Sequence, residues 1–494
     1  MPMRRVLRRV GVLVALAVAL TACQPGRPVP LPPDPTPGQT ATSPTNSRTV
    51  PPTPGTVPPT PGTVPPTPGT VPPTEAMTVA GVRAHMAALQ RVADANAGNR
   101  AAGTPGYEAS VAYVREVLEA VGYEVAEQTF TFTYNEVRRQ RVVREGGGSE
   151  IPVDVMEGSP ATPAGGVTAP LVTPADPIGC AAADYTGVRG AIVLVERGSC
   201  PFAEKSRLAA EAGAAVVLIF DNEGGTRRLH GSLADADGVA PTAGLPQVEG
   251  RQLREALTRG PVRLTVELDV LREQRETSNV IAQWPGSPPD RRVVMAGAHL
   301  DSVRTGPGIN DNGSGVALVL ELATQLATLG EADGARFAFW GAEELGLLGS
   351  RHHVATMSDD DRRGVAAYLN FDMVASPNGA VGAYGDPGLV TLLDDFFVTR
   401  GERLGRVDLG RASDHAPFVE AGITAVGLFT GAGGTKTDDE TERWGGTVGG
   451  PYDPCYHQVC DTLPGTDTDV ANRQLDLISD AVVVTVLALL HRER

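Results

Sequence analysis

The chain carries two adjacent acids, Glu343 and Glu344, just after an apolar run that predicts a β-strand. Two histidines and two aspartates complete a set of side chains typical of a metal centre: His299, Asp311, Asp372 and His457. Two imidazoles and three carboxylates suffice to hold two divalent ions such as zinc. Since one carboxylate then stays free to move protons, the set predicts metal-assisted hydrolysis.

Strands and helices alternate after Thr277 in a way that would bring these side chains together. Predicted strands end shortly before His299, Glu343 and Asp372, at residues 293–298, 336–341 and 366–371, and a helix is predicted at 316–326. This alternation predicts an α/β fold with a mostly parallel, doubly wound sheet and helices on both faces. Ligands bind such sheets outside the carboxyl ends of the strands, so we expect one shared crevice.

Seven short strings include or flank the candidate residues: Asn279-Val280-Ile281-Ala282, residues 297–302 (GAHLDS), residues 308–315 (GINDNGSG), residues 340–350 (WGAEELGLLGS), residues 370–373 (NFDM), residues 413–418 (SDHAPF) and Tyr456-His457. In this order and spacing they resemble the secreted double-zinc aminopeptidases of the streptomycete and vibrio type. The resemblance covers most of residues 77–134 and 276–494. It implies the zinc exopeptidase fold and removal of a large apolar, leucine-like N-terminal residue from peptides.

The resemblance also implies two Zn²⁺ per chain and a ligand for each coordination position. His299 and Asp372 would hold one ion. Glu344 and His457 would hold the other, and Asp311 would bridge the two. A hydroxide shared by the two ions would be the nucleophile, as in other two-metal hydrolases.

Catalytic roles are implied in the same way. Glu343 would act as the general base, and the Tyr456 hydroxyl would donate to the developing oxyanion. The α-ammonium group of the substrate would be held by Glu343, Asp372 and the main chain near Arg411.

Supporting roles are expected for two further aspartates. Asp301 would accept the free ring N–H of His299, because metal-bound histidines usually need such a partner. Asp461 would serve His457 likewise, or would cap a turn. The family also has a cis peptide bond directly after the bridging aspartate, Asp311.

Two rival functions stay open at this point. One is another zinc exopeptidase of the same fold, either a carboxypeptidase or a glutaminyl cyclase. The cyclases generally work with one metal, and a carboxypeptidase needs cationic groups for the substrate carboxylate. The other is a non-catalytic receptor or scaffold, in which metal ligands have been lost. This chain keeps all five candidate ligands, which favours the aminopeptidase.

Residues 135–275 show a different pattern, with short predicted strands separated by glycine and proline and one predicted helix at 203–212. Several strings there resemble the protease-associated domain: Gly179-Cys180, Asp184-Tyr185, residues 190–195, residues 197–202, Lys205 and residues 212–220. We therefore expect this domain to be inserted into a peptidase domain of residues 77–134 and 276–494. It would serve as a lid or substrate-selecting wall, or as a passive stabilising domain.

The N-terminal region predicts export and anchoring. Residues 1–23 combine an arginine-rich head, an apolar run too short to span a bilayer, and Leu20-Thr21-Ala22-Cys23, which resembles the bacterial lipobox. Lipidation of Cys23 would anchor the chain at the outer face of the cell membrane, and the alternative is an ordinary signal peptide. Residues 24–76, rich in proline and threonine, predict a semi-stiff tether.

The cysteine count indicates which cysteines form disulfides, and the net charge limits the classes of partner. Of the five cysteines, Cys23 is the odd one if disulfides join Cys180 to Cys200 and Cys455 to Cys460, which their sequence proximity favours. The net charge of -16 argues against a nucleic-acid partner. We expect a monomer that acts on peptides with a free N-terminus. A structural Ca²⁺ occurs in similar enzymes, but no motif here requires one.

Overall fold

The computed structural model describes residues 77–233, 237–286 and 291–493. The expected leader, Cys23 and the tether lie outside these ranges. The helices of the described chain are α1 Val79–Ala95, α2 Pro105–Ala120, α3 Phe202–Glu211, α4 Gln247–Arg259, α5 Gly315–Leu329, α6 Leu348–Thr356, α7 Asp359–Gly364, α8 Pro387–Thr399, α9 His415–Glu420, α10 Asp438–Trp444, α11 Leu463–Thr466 and α12 Asp469–Arg492. A 3₁₀ helix at Ala182–Tyr185 and a π-helical turn at Ile309–Ser314 complete the helical elements.

The strands of the described chain form one continuous sheet. They are β1 Glu124–Arg144, β2 Asp154–Val155, β3 Val167–Val172, β4 Ile192–Glu196, β5 Val216–Phe220, β6 Thr242–Leu245, β7 Arg263–Gln283, β8 Val293–His299, β9 Ala335–Trp340, β10 Val365–Phe371, β11 Gly382–Gly385, β12 Gly405–Arg406 and β13 Ala425–Phe429. Their order is β12-β11-β13-β10-β8-β9-β7-β3-β4-β5-β6-β2, and β1 pairs with β7.

The centre of the peptidase part of the sheet is parallel, as the alternating pattern predicts. Strands β13, β10, β8 and β9 run in the same direction. The flanking strands β11 and β7 are antiparallel to their neighbours β13 and β9, so the sheet as a whole is mixed. Every residue of β8 is buried, which explains its unbroken apolar run.

Helices cover both faces of this part of the sheet. Helices α1, α2, α5, α8 and α12 contribute to the main apolar core on one face. The other face packs through a smaller aromatic cluster that includes Trp340, Tyr368 and Phe418, beside α6 and α9. Helix α12 is long and apolar enough to cross a membrane, but 78% of its most apolar window is buried, as expected for a core helix.

Two long strands, β1 and β7, form a ribbon that joins the two parts of the molecule. They pair antiparallel from Glu124↔Gln283 to Arg144↔Leu264, with one register shift between Val137 and Arg139. One end of β7 also pairs with β9 and the other end with β3. The expected domain boundaries at 134/135 and 275/276 therefore fall inside continuous strands, and the division at those residues stays a prediction.

The inserted part is built on strands β3 to β6, which pair in parallel in that order. The predicted helix at 203–212 is confirmed as α3. The expectation of one helix in this region is wrong, because the described residues also include α4, which packs on β4 and β5. The sequence of α4 is strongly polar, and only a few positions, such as Leu253, are buried. The segment therefore offers few apolar residues from which a helix could be predicted. The expected Cys180–Cys200 disulfide is present.

Candidate active site

Three neighbouring strands bring the candidate ligands to one edge of the sheet. His299 is the last residue of β8, Asp372 directly follows β10, and Glu343 and Glu344 follow β9 after a short turn. Because β10, β8 and β9 are adjacent and parallel, their carboxyl ends meet at this edge. The convergence predicted from the strand pattern is therefore present in the structure.

The acids after β9 lie in a tight turn, residues 343–346, which we call the acid turn. The Gly346 N–H donates to the Glu343 carbonyl at 2.8 Å, and Gly346 has a φ of +104° that favours glycine. The Asp301 carboxylate accepts from the backbone N–H groups of Glu343, at 3.0 Å, and Glu344, at 3.4 Å. A buried carboxylate thus holds the acid turn beside the end of β8.

The side chains form two groups that could each hold a metal ion: one of His299, Glu343 and Asp372, and one of Asp311, Glu344 and His457. Asp311 lies between the two histidines. Its Oδ1 is 3.2 Å from His299 Nε2, and its Oδ2 is 3.1 Å from His457 Nε2. His299 Nε2 is also 3.5 Å from Asp372 Oδ1, and His457 Nε2 is 3.1 Å from Glu344 Oε2.

Asp311 is held in place by a buried polar frame. The peptide bond from Asp311 to Asn312 is cis, as the resemblance implies. The Asn312 amide donates to the Phe371 carbonyl at 2.9 Å and accepts from the Met373 N–H at 3.2 Å, which ties this turn to the end of β10. The turn that carries Asp311 is therefore fixed relative to the strand that delivers Asp372.

The expected contacts of Asp301 and Asp461 need correction. The nearest acceptor to His299 Nδ1 is the backbone carbonyl of Asp301, at 3.1 Å, while the Asp301 carboxylate lies 3.7 Å away. Asp461 does not support His457. Its carboxylate accepts instead from the N–H groups of Asn310, at 2.7 Å, and Asp311, at 3.0 Å. Both aspartates therefore hold backbone turns, and Asp461 supports the turn at Asp311.

His457 and Tyr456 come from an irregular loop between α10 and α11. The Cys455–Cys460 disulfide closes this loop, which confirms the second expected pairing. The Tyr456 ring stacks on the His457 ring with a centroid distance of 3.8 Å. Regular strand or helix patterns say nothing about such a loop, so only the resemblance identified these two residues.

Hydrogen bonding and charge both fit a cation at this site. Glu344 Oε1 and Asp372 Oδ1 are buried and have no hydrogen-bond partner among the residues that the structure describes. Burial raises the pKa of Glu344 to about 7 and raises the pKa of Glu343 well above its usual value. Burying such carboxylates without a counter-charge is unfavourable, whereas nearby divalent cations stabilise their charged forms.

Sequence reasoning missed two residues that position Asp372. The Ser413 hydroxyl donates to Asp372 Oδ2 at 2.6 Å, and the Asn370 amide donates to Ser413 Oγ at 2.8 Å. Both lie in strings that carried the family resemblance, which was the available signal. Arg411 lies just before Ser413, and its exposed side chain pairs with Glu420, so the expected main-chain contact of Arg411 with substrate stays a prediction.

Arg100, also missed, organises the loop between His299 and Asp311. Its side chain is fully buried, and it donates to the backbone carbonyls of Leu300, Pro307 and Gly308. Burial lowers its pKa to about 10, so the guanidinium stays charged at neutral pH. One cation therefore satisfies three carbonyls in the loop that leads to Asp311.

Replacing Arg100 should therefore destabilise the protein. We expect Arg100→Leu to lower the free energy of unfolding by about 3 kcal/mol or more, because three buried carbonyls lose their donor. Urea titration followed by tryptophan fluorescence measures this loss. The exposed Arg91→Leu on α1 is the control and should change stability by less than about 0.5 kcal/mol. A loss below about 1 kcal/mol in Arg100→Leu would contradict the structural role.

The chain is similar to known proteins in both sequence and structure. The profile of peptidase family M28 matches residues 279–482, and that of the PA domain matches residues 167–253. A probable lipoprotein aminopeptidase of Mycobacterium tuberculosis is 43% identical over 409 residues, covering 78% of this chain and 80% of the relative. Leucine aminopeptidase 2 of Arthroderma otae is 36% identical, with 74% and 75% covered. A zinc aminopeptidase structure from Bacillus subtilis aligns with a TM-score of 0.63 and 27% identity, covering 83% of this chain and 94% of that one.

Proposed function

Because this chain belongs to peptidase family M28, with an inserted PA domain, and is a metallo-aminopeptidase, we propose that it uses two zinc ions to remove leucine-like residues from peptide N-termini. The position of Asp311 is the observation that best supports the binding of two ions. Its two carboxylate oxygens face His299 and His457 at 3.2 and 3.1 Å, as a residue shared by two ions would.

We assign the ligands as follows. His299 and Asp372 hold one zinc ion, Glu344 and His457 hold the other, and Asp311 belongs to both. When bound, the ions would polarise the scissile carbonyl and lower the pKa of the attacking water. The described residues include no further group of three metal-ligating side chains, so we do not propose a calcium site.

The remaining roles belong to side chains around these ligands. Glu343 takes a proton from the attacking water and passes it to the leaving nitrogen. The α-ammonium of the substrate lies among Glu343, Asp372 and the main chain at Arg411, where neighbouring carboxylates favour a cation. The Tyr456 hydroxyl donates to the oxyanion as the carbonyl becomes tetrahedral.

A panel of substrates tests this function. The zinc-loaded protein should hydrolyse leucine anilide faster than the anilides of acidic or small residues. It should not hydrolyse an N-blocked peptide with a free C-terminus, which is a carboxypeptidase substrate. Removal of metal by a chelator should abolish the activity, and two equivalents of zinc should restore it. Release of the C-terminal residue, or full recovery with one equivalent, would overturn the proposal. The name of the Arthroderma otae relative supports the leucine preference.

The role of Tyr456 makes a separate prediction. Tyr456→Phe should lower kcat by about 100-fold with little change in KM, because the lost hydrogen bond acts mainly in the transition state. Its zinc content should equal that of the wild type. Tyr113→Phe on α2, outside the site, is the control and should keep normal kcat. A kcat within about twofold of wild type in Tyr456→Phe would remove the residue from catalysis.

We further propose that the enzyme is an exported lipoprotein, anchored through Cys23 with its catalytic part on the outer face of the membrane. The lipobox-like string supports this location, as does the naming of the Mycobacterium tuberculosis relative as a probable lipoprotein aminopeptidase. We propose a monomer that acts on free N-termini of peptides. Metabolic labelling with a palmitate analogue in wild type and Cys23→Ala tests the anchor, because only the wild type should be labelled.

A further inference from the structure

Two cavities open beside the acid turn, and both are lined by Glu344 and Leu345. The smaller cavity has a volume of about 130 Å³ and an apolar wall formed by Ala101, Ala102, Tyr134, Val303 and Leu345. It lies between the peptidase part of the molecule and the ribbon of β1 and β7. A cavity with an apolar wall that contacts a proposed metal ligand is in a suitable position to bind part of a substrate.

The larger cavity has a volume of about 380 Å³ and extends from the same turn toward the inserted domain. It is lined by Thr133 of β1, Leu348 of α6 and Glu157 of the inserted domain. Asn135 lines both cavities. The two spaces therefore adjoin, and a peptide leaving the smaller cavity has room to continue along the inserted domain.

Leu345 is an unusual residue for its position. It is 38% exposed at the tip of the acid turn, directly beside a residue that we assign to metal binding. The hydrogen bonds from Glu343 and Glu344 to Asp301 fix the turn that presents it. An apolar side chain displayed rigidly at a site of peptide hydrolysis is suited to contact an apolar substrate group.

The positions of the cavities relative to the proposed binding site of the substrate amine indicate which part of a substrate the cavities would contact. The proposed function places the substrate amine among Glu343, Asp372 and the main chain at Arg411, and none of these three residues lines either cavity. Glu344 lines both and belongs to the other group of ligands. This arrangement supports placing the cavities on the leaving side of the scissile bond, away from the substrate amine.

We propose that the smaller cavity is the pocket for the side chain of the second substrate residue, and that it selects large apolar side chains. This inference rests on the proposed function. The size is adequate, because an apolar protein cavity of about 150 Å³ is large enough to bind benzene. The one cationic group in its lining, Arg304, is already paired with Glu136 at 2.9 Å.

The experiment compares two substrates that differ in the second residue alone, leucyl-leucinamide and leucyl-glycinamide. The zinc-loaded full-length enzyme should show a kcat/KM at least about tenfold higher for the leucine substrate, because the pocket is filled. Leu345→Asp should bring this ratio close to one by placing a charge in the apolar wall. Val303→Phe, which fills the cavity from a second lining residue, should bring the ratio close to one as well.

Val398→Asp on α8 is the matched control, because Val398 is 45% exposed and lines neither cavity. It should keep the wild-type ratio. A wild-type ratio near one, or an unchanged ratio in both Leu345→Asp and Val303→Phe, would overturn the pocket assignment. If the zinc-loaded wild type hydrolyses neither substrate, the proposed removal of leucine-like N-terminal residues itself fails, so the two failures are distinguishable.

Discussion

Replacing Glu343 with glutamine is expected to lower kcat by at least about 1000-fold, because a glutamine amide cannot accept the proton of the attacking water. Zinc binding should persist, since the proposed ligands of both ions remain. Glu343 Oε2 lies 3.9 Å from His299 Nε2, while Asp311 Oδ1 and Asp372 Oδ1 lie 3.2 and 3.5 Å from it, so zinc content has to be measured to separate the two roles. Steady-state kinetics with leucine anilide and metal analysis of the same preparation test both expectations.

The control is Glu116→Gln on the exposed face of α2, which removes the same charge away from the site. It should keep wild-type kcat and zinc content. If Glu343→Gln retained more than about a tenth of the activity, general-base catalysis by Glu343 would be excluded. If the variant lost one zinc ion, Glu343 would be a ligand instead.

Replacing Asp311 with asparagine should remove activity in a different way, by loss of metal. The amide is neutral and offers one oxygen, whereas the carboxylate presents one oxygen to each histidine. We expect zinc content to fall from two ions per chain to one or none after dialysis, with activity below detection. Mass spectrometry under native conditions and a zinc-binding titration measure this change.

Asp439→Asn, in the exposed first turn of α10, is the matched charge control and should bind two zinc ions. Two tightly bound ions in Asp311→Asn would contradict a shared carboxylate. Glu343→Gln and Asp311→Asn together separate proton transfer from metal binding, because the first loses turnover alone and the second loses both.

The strand pattern predicted the part of the site that regular structure positions. Apolar runs before His299, Glu343 and Asp372 indicated three strands, and the rule for open α/β sheets placed their ends together. His457 could not be found in this way. It lies in an irregular loop with a φ of +59°, and its position depends on a disulfide and on contacts far away in sequence.

The residues that hold the candidate metal ligands in place were the least predictable part of the site. Sequence spacing suggested that Asp461 would serve the nearby His457 or cap a turn. The carboxylate accepts from the backbone N–H groups of Asn310 and Asp311, 150 residues earlier in the chain, so it holds a turn that the sequence could not specify. Arg100 was missed for the same reason, since an arginine in a loop is usually solvated. Only the folded chain shows that three carbonyls some 200 residues away surround it.

The register shift in the ribbon has a mechanical consequence. Strands β1 and β7 are otherwise paired without interruption, and a bulge locally bends and twists the strand that carries it. The shift lies at Val137 and Arg139, close to Tyr134 and Asn135 of the smaller cavity. A bend at this point would set the angle at which the ribbon carries the inserted domain past the smaller cavity.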